Sequence, residues 1–233
     1  MRRDYFDFKQ FSVANKLSAM PISTDSVLIG AWCSVANVYR ALDVGTGTGV
    51  IALMLAQRNH ELRVDAIDID ENSIEEAKVN FTNSPWTGRL MAQLADFNDW
   101  QGYYDLIVSN PPYFVDGIHS PVESRSAARH TCLLTYDQLI SKGSMLLSET
   151  GRLAFIAPYD LRTRVIELAT FNSLNITRMC EVTSVEGKQP KRIMWELSAA
   201  KSSLIRERLL LRDSNGDVTD AYRSLCSDFY QSF

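Results

Sequence analysis

The 233-residue chain has only four cysteines, Cys33, Cys132, Cys180 and Cys226, and no Cys-x-x-Cys pair. Such scatter excludes a zinc ribbon or a disulfide scaffold; it suits free thiols in a reducing cytoplasm, with no metal site expected. No apolar run reaches the roughly 18 residues of a membrane span. The basic start, Met1-Arg2-Arg3, lacks the apolar stretch that would make it a secretory signal. Internal repeats, low-complexity tracts and Pro/Gly/Ser linkers are missing too, so a single domain is expected. An excess of positive charge is also absent. The formal net charge is −4, which at first argues against a nucleic-acid partner. The distribution changes that. Residues 1–42 carry +2, 43–116 carry −8, 117–151 are neutral, 152–212 carry +5 and 213–233 carry −3. The acid sits in one block between two mildly basic stretches. A nucleic-acid partner then implies a small footprint and a shallow salt dependence.

From residue 40 onward, short apolar runs alternate with helical periodicity. Strands are expected at Arg40–Val44, Arg63–Asp68, Leu90–Ala95, Tyr104–Ser109 and Arg152–Ala157. Helices are expected at Gly49–Arg58, Glu71–Thr82, Tyr136–Leu147 and Leu161–Phe171. Two late strands, Asn175–Val182 and Arg192–Leu197, have no helix between them and read as an antiparallel hairpin at the sheet edge. The alternation predicts an α/β fold, a mostly parallel sheet covered on both faces. Residues 1–37 do not follow it and read as a short N-terminal extension of the domain formed by 38–233.

Asp43-Val44-Gly45-Thr46-Gly47-Thr48-Gly49 places glycines where the first of these strands turns into a helix. There, backbone can approach a ligand closely. The dinucleotide fingerprint requires a third glycine at position 50, which is Val50, and no phosphate-loop lysine follows. The Asp-x-Gly-x-Gly-x-Gly pattern resembles motif I of the class I S-adenosylmethionine-dependent methyltransferases. Their Rossmann-like fold has a seven-stranded sheet, and their cofactor carries no phosphate. About 20 residues on, Asp68 ends the next strand, where a carboxylate can accept hydrogen bonds from both ribose hydroxyls. Asp70 is the second candidate, or a helix cap. The resemblance implies that Asp96 reaches the adenine amino group and that Phe97 packs the ring.

Ser109-Asn110-Pro111-Pro112-Tyr113 follows the fourth strand. An exocyclic amino group is a poor nucleophile because its lone pair is delocalised. Two acceptors, the Asn110 side-chain oxygen and the Pro111 carbonyl, can hold its hydrogens and expose that lone pair. Pro111 and Pro112 fix φ and stiffen the loop. Tyr113 can stack on a flipped planar target. The motif resembles that of the Asn-Pro-Pro-Tyr amino-methyltransferases. These act on DNA or tRNA adenine N6, rRNA guanine N2 or a protein glutamine amide.

The N-terminal run Phe6-Asp7-Phe8-Lys9-Gln10-Phe11, then Thr24-Asp25 and Leu28-Ile29-Gly30-Ala31-Trp32, narrows the group. With Arg129-His130, Pro190-Lys191-Arg192 and Ala221-Tyr222, it resembles the bacterial tRNA(Val) adenine-37 N6-methyltransferase family over nearly the whole chain. The resemblance implies a tRNA substrate, S-adenosylmethionine as cofactor and no obligate protein partner. Thr24 and Asp25 could line the cofactor or target pocket. Lys9, Arg129, His130, Lys188, Lys191 and Arg192 are candidate RNA contacts, each set against an ordinary solvated surface charge. A glutamine methyltransferase would carry a larger N-terminal recognition domain, and an rRNA guanine-N2 enzyme more often a duplicated one.

Overall fold

The computed structural model describes residues 4–18, 20–112 and 134–233. Its centre is an eight-stranded sheet. In chain order the strands are β3 (Arg40–Val44), β4 (Arg63–Asp68), β5 (Leu90–Leu94), β6 (Tyr104–Ser109), β7 (Leu147–Pro158), β8 (Asn175–Val185), β9 (Arg192–Ser198) and β10 (Ile205–Arg212). They lie side by side in the order β10-β8-β9-β7-β6-β3-β4-β5. Only β9 runs against its neighbours; every other pairing is parallel. All the parallel strands therefore end on one side, where ligand sites of open α/β sheets form.

The strand sequences explain the layering. Ala41, Leu106, Val108, Ala154 and Ile156 point into one apolar cluster, while Leu42, Val44, Ile107, Leu153 and Phe155 point into the other. Strands buried on both faces read as continuous apolar runs, as β6 and the middle of β7 do. Helices α1 (Thr24–Trp32), α2 (Val50–Arg58), α3 (Glu71–Thr82) and α6 (Asp220–Cys226) supply the first cluster. Helices α4 (Tyr136–Leu146) and α5 (Arg162–Phe171) supply the second.

One expectation needs correcting. The β8–β9 hairpin is antiparallel as anticipated, but it does not close the sheet; β10 lies outside β8 and makes an eighth strand. Its sequence, IRERLLLR, has an exposed, charged first half, so the apolar alternation is too short to announce a strand. Charge on an edge strand also discourages pairing with a further chain. Helix α1 was hidden for the opposite reason. Eight of its nine residues are buried, so no polar face marks its period.

The N-terminal segment is bound into the same core. Strands β1 (Tyr5–Asp7) and β2 (Ser12–Ala14) form a small antiparallel ribbon. Phe8 and Phe11 stack at 4.6 Å and are buried, with Tyr230 alongside. The aromatics of this run are thus core, and Lys9 between them is exposed. Buried Glu76 on α3 accepts the backbone N–H groups of Lys16, Leu17 and Ser18 at 2.5, 2.9 and 2.9 Å. Glu76→Ala would orphan these donors. We expect a loss of about 3 kcal/mol, read as a melting temperature lower by roughly 6–12 °C; a shift below about 2 °C would show that water replaces the carboxylate at no cost.

Candidate active site

The site is assembled at the carboxyl ends of β3, β4 and β6. Where β3 turns into α2, Gly45, Gly47 and Gly49 all have positive φ, at 68°, 55° and 81°. The glycines do different work. A Cβ on Gly49 would lie 2.5 Å from Phe81 Cε1, so this residue allows α2 to pack on α3. A Cβ on Gly45 would meet nothing within 4 Å and would project into open space, where a ligand can lie against bare backbone.

Two carboxylates hold this loop. Asp43, fully buried, accepts from Thr46 Oγ1 at 2.7 Å and from the Ala52 N–H at 3.2 Å, both through Oδ2. Its Oδ1 has no partner among the described residues. Burial pushes the Asp43 carboxyl up to about 7, against the pull of these two donors. Asp68 accepts the Gly47 N–H through Oδ2 and the Asp70 N–H through Oδ1, each at 2.9 Å. Burial raises its pKa as well. An ionised carboxylate has about four acceptor positions, so these bonds leave Asp68 capacity for a ligand's hydroxyls. Asp70 is occupied differently: it caps α3, accepting from Ser73 N and Oγ at 3.0 and 2.8 Å.

The raised Asp43 pKa has a consequence for stability. The unfolded chain releases this proton near 3.8, the folded chain near 7. The stabilising contribution is complete below the lower value and is lost as pH rises through the upper one. Without ligand, the melting temperature of the native chain should therefore fall relative to Asp43→Asn between pH 5 and 8. A difference that stays constant with pH would contradict a buried, protonated Asp43.

After β5, Asp96 Oδ1 takes both the backbone N–H and the side-chain amide of Asn98, at 2.8 and 2.9 Å. Phe97 is 3% exposed and lies in the core cluster with Val44 and Ile67, not on an open wall. At the end of β6, Ser109 Oγ donates to the Val44 carbonyl at 2.8 Å and ties the two central strand ends together. Asn110 follows. Its Oδ1 is buried and has no hydrogen-bond partner among the described residues, while Nδ2 faces Ser23 Oγ at 3.5 Å. Buried amide oxygens are nearly always paired, so this atom marks where a donor would bind. Pro111 is buried and Pro112 half-buried. Tyr113, Arg129 and His130 lie outside the described residues.

Ser23 escaped the sequence reading. It is the N-cap of α1, in a capping box with Ser26, and so brings that helix start to Asn110. Ser-x-x-Ser carries too common a signal to be singled out. Thr24 beside it is exposed, and Asp25 is buried. Asp25 is bound to Arg192 Nε at 2.7 Å. Arg192 is therefore turned inward to a carboxylate instead of standing as a solvated cation for RNA. Lys188 and Lys191 are exposed on the β8–β9 turn, at the same end of the sheet as Asn110. Asp105 lies at the opposite end, accepting the Tyr39 and Arg40 N–H groups at 3.0 and 3.1 Å. Among the described residues no cluster of three or more His, Cys, Asp or Glu could hold a metal, and no helix is long and apolar enough to cross a membrane.

Residues 30–181 match the model of the methyltransferase small domain. A tRNA1(Val) (adenine(37)-N6)-methyltransferase of Bacteroides thetaiotaomicron is 39% identical over 99% of this chain and 98% of its own length. One of Tolumonas auensis is 37% identical over 97% and 96%. In fold, the chain is similar to a crystal structure described as a predicted O-methyltransferase from Agrobacterium tumefaciens, with a TM-score of 0.70 and 14% identity over 88% of this chain and 96% of that one. The glycine loop, the acidic strand end and the Asn110-Pro111-Pro112 run thus stand in a class I methyltransferase fold, and the chain belongs to the tRNA1(Val) (adenine(37)-N6)-methyltransferase family.

Proposed function

We propose that the chain transfers a methyl group to N6 of adenine 37 in the anticodon loop of tRNA1(Val), in the cytoplasm and without an obligate protein partner. The observation that carries this reading is the buried Oδ1 of Asn110, without a partner among the described residues, beside a glycine loop open at Gly45. When bound, S-adenosylmethionine would supply an electrophilic methyl group on a sulfonium. The residues present fit it. It has no phosphate, and this loop has no phosphate-binding lysine. Its ammonium would suit an acidic, donor-poor site such as that of Asp43, whose Oδ1 has no partner among the described residues. Gly45 and Gly47 would face its body, Asp68 its ribose and Asp96 its base, with Phe97 in the core behind them.

The chain's own part in the reaction is placement. Asn110 Oδ1 and the Pro111 carbonyl would accept the two N6 hydrogens, turning the lone pair towards the methyl group. Both acceptors also stabilise the positive charge that grows on N6 during transfer, a contribution made only in the transition state. Pre-set loop geometry lowers the entropic part of the barrier. The target lies in an anticodon loop, where bases are unpaired, so presenting it costs less than extracting a paired base. Tyr113 would stack on it. The N-terminal segment 1–37 works within the same domain, since α1 reaches Asn110 through Ser23.

The test is radiolabel transfer to a tRNA1(Val) transcript and to one with guanosine at position 37. We expect label in the first only. Label in both would move the acceptor elsewhere; label in neither, with protein glutamine accepting instead, would support the amide chemistry that the same motif also serves.

A further inference from the structure

On the far edge of the sheet from the glycine loop, Arg162, Met179, Glu181, Arg206, Glu207 and Arg208 line a cleft of about 470 Å3. The pairing register explains how it forms. Arg206 lies opposite Met179, and Arg208 opposite Glu181. All four project to the face covered by α5, because Met179 belongs to that face's core cluster. Arg162 is the first residue of α5 and reaches the cleft from above the end of β7.

The charges do not cancel. Glu207 alternates with the two arginines along β10, so its carboxylate faces the other side. There it is taken by Arg178 at 2.9 and 3.0 Å and by Trp32 Nε1 at 2.6 Å. Glu181 is left against three guanidinium groups. Its one ion pair in the cleft is loose, 3.5 Å to an Arg208 side chain that is 89% exposed. Arg162 Nε is buried with no acceptor among the described residues. Elsewhere in this chain arginines meet carboxylates closely: Arg40 with Asp65 at 3.1 Å, Arg178 with Glu207, Arg192 with Asp25. Arg162 Nε is thus a buried donor that an anion in the cleft would complete, with the exposed Arg206 and Arg208 beside it to add charge.

We infer that this cleft binds phosphodiester groups of the tRNA backbone. The inference rests on the tRNA reading above. Its place in the fold says which part of the RNA it meets. From β10 to β6 is four strand spacings, about 19 Å across the sheet. Glu181 is level with Ala157, one residue short of the end of β7, so Arg208 sits near the same rim as Asn110. That span exceeds the reach of the target nucleotide's own phosphates. The cleft takes backbone outside the methylated nucleotide and fixes the RNA on the protein without touching the reaction.

The test uses the exposed pair. Arg206→Gln/Arg208→Gln leaves Arg162 and the core in place. Binding of a tRNA1(Val) transcript is measured at several salt concentrations, together with kcat and the cofactor Kd. Each lost phosphate contact should make the slope of log K against log salt shallower by about 0.7–0.9. We expect a slope shallower by about 1.5, tRNA affinity at least tenfold weaker, and kcat and cofactor Kd within twofold of native. Unchanged affinity would overturn the inference. Weaker affinity with an unchanged slope would also overturn it, since the arginines would not be meeting phosphate. A fall in kcat at saturating tRNA would place them in the catalytic machinery and likewise contradict it. If the native chain itself does not methylate tRNA, the functional reading fails first, and that outcome is visible before any variant is made.

Discussion

Asn110→Ala will lower kcat by about a thousandfold while leaving the affinity for S-adenosylmethionine within a few-fold of native. The magnitude is that of removing one preorganised hydrogen-bonding group aimed at developing charge. The direction follows from where the residue stands. Its Oδ1 is buried and without a partner among the described residues, so no existing interaction is lost. The fold should also be spared. Among the described residues the Asn110 side chain has one long hydrogen bond, from Nδ2 to Ser23, whereas Ser109 makes the structural bond to Val44. Single-turnover rates with saturating tRNA and cofactor separate the step from binding. Asn110→Asp keeps an acceptor oxygen and should recover part of the lost rate. Full activity of the alanine variant would end the amino-activation mechanism.

Asp68→Ala will act on the cofactor instead, raising its Kd at least a hundredfold. Asp68 holds the Gly47 and Asp70 N–H groups. Hydrogen bonds to a charged group are worth roughly 1.5–3 kcal/mol each, and about 2.7 kcal/mol is a hundredfold in Kd. Loop disorder and loss of a ribose contact would both weaken binding, so a second measurement is needed. Calorimetry with a ribose-deoxygenated analogue of S-adenosylhomocysteine separates them. If Asp68 grips the ribose, native protein discriminates against the analogue and Asp68→Ala does not, leaving a coupling energy between the two changes. Equal discrimination by both would confine Asp68 to bracing the loop.

The two variants report on parts of the site that were legible to different degrees. Arg40–Val44, Arg63–Asp68, Glu71–Thr82 and Tyr104–Ser109 begin and end where the sequence places them. Each is bounded by a hard local signal: glycines after β3, the Asp70 cap before α3, Asn-Pro-Pro after β6. The backbone-lined half of the site was readable for the same reason, because its geometry is local to strand ends. What stayed hidden depends on long-range pairing. Asp25 and Arg192 were each separate candidates, and nothing in their own neighbourhoods announces that they neutralise each other. The cleft of Arg162, Arg206 and Arg208 exists only because β10 adds to β8 in parallel and turns alternate residues to one face. The segmental charge singles out 152–212 as a basic stretch but cannot say which of its cations are already taken.

That stretch also returns to the missing positive charge. A chain of net −4 can hold an RNA if its free cations are few and grouped. Several arginines here are committed internally, so a modest affinity and a shallow salt slope are expected.

The most direct measurement is nucleoside mass spectrometry of tRNA1(Val) purified from a strain lacking this chain, beside its parent. The parent should carry N6-methyladenosine at position 37 and the deletion strain unmodified adenosine, with restoration by the native gene but not by Asn110→Ala. Unchanged N6-methyladenosine at that position in the deletion strain would contradict the proposed function.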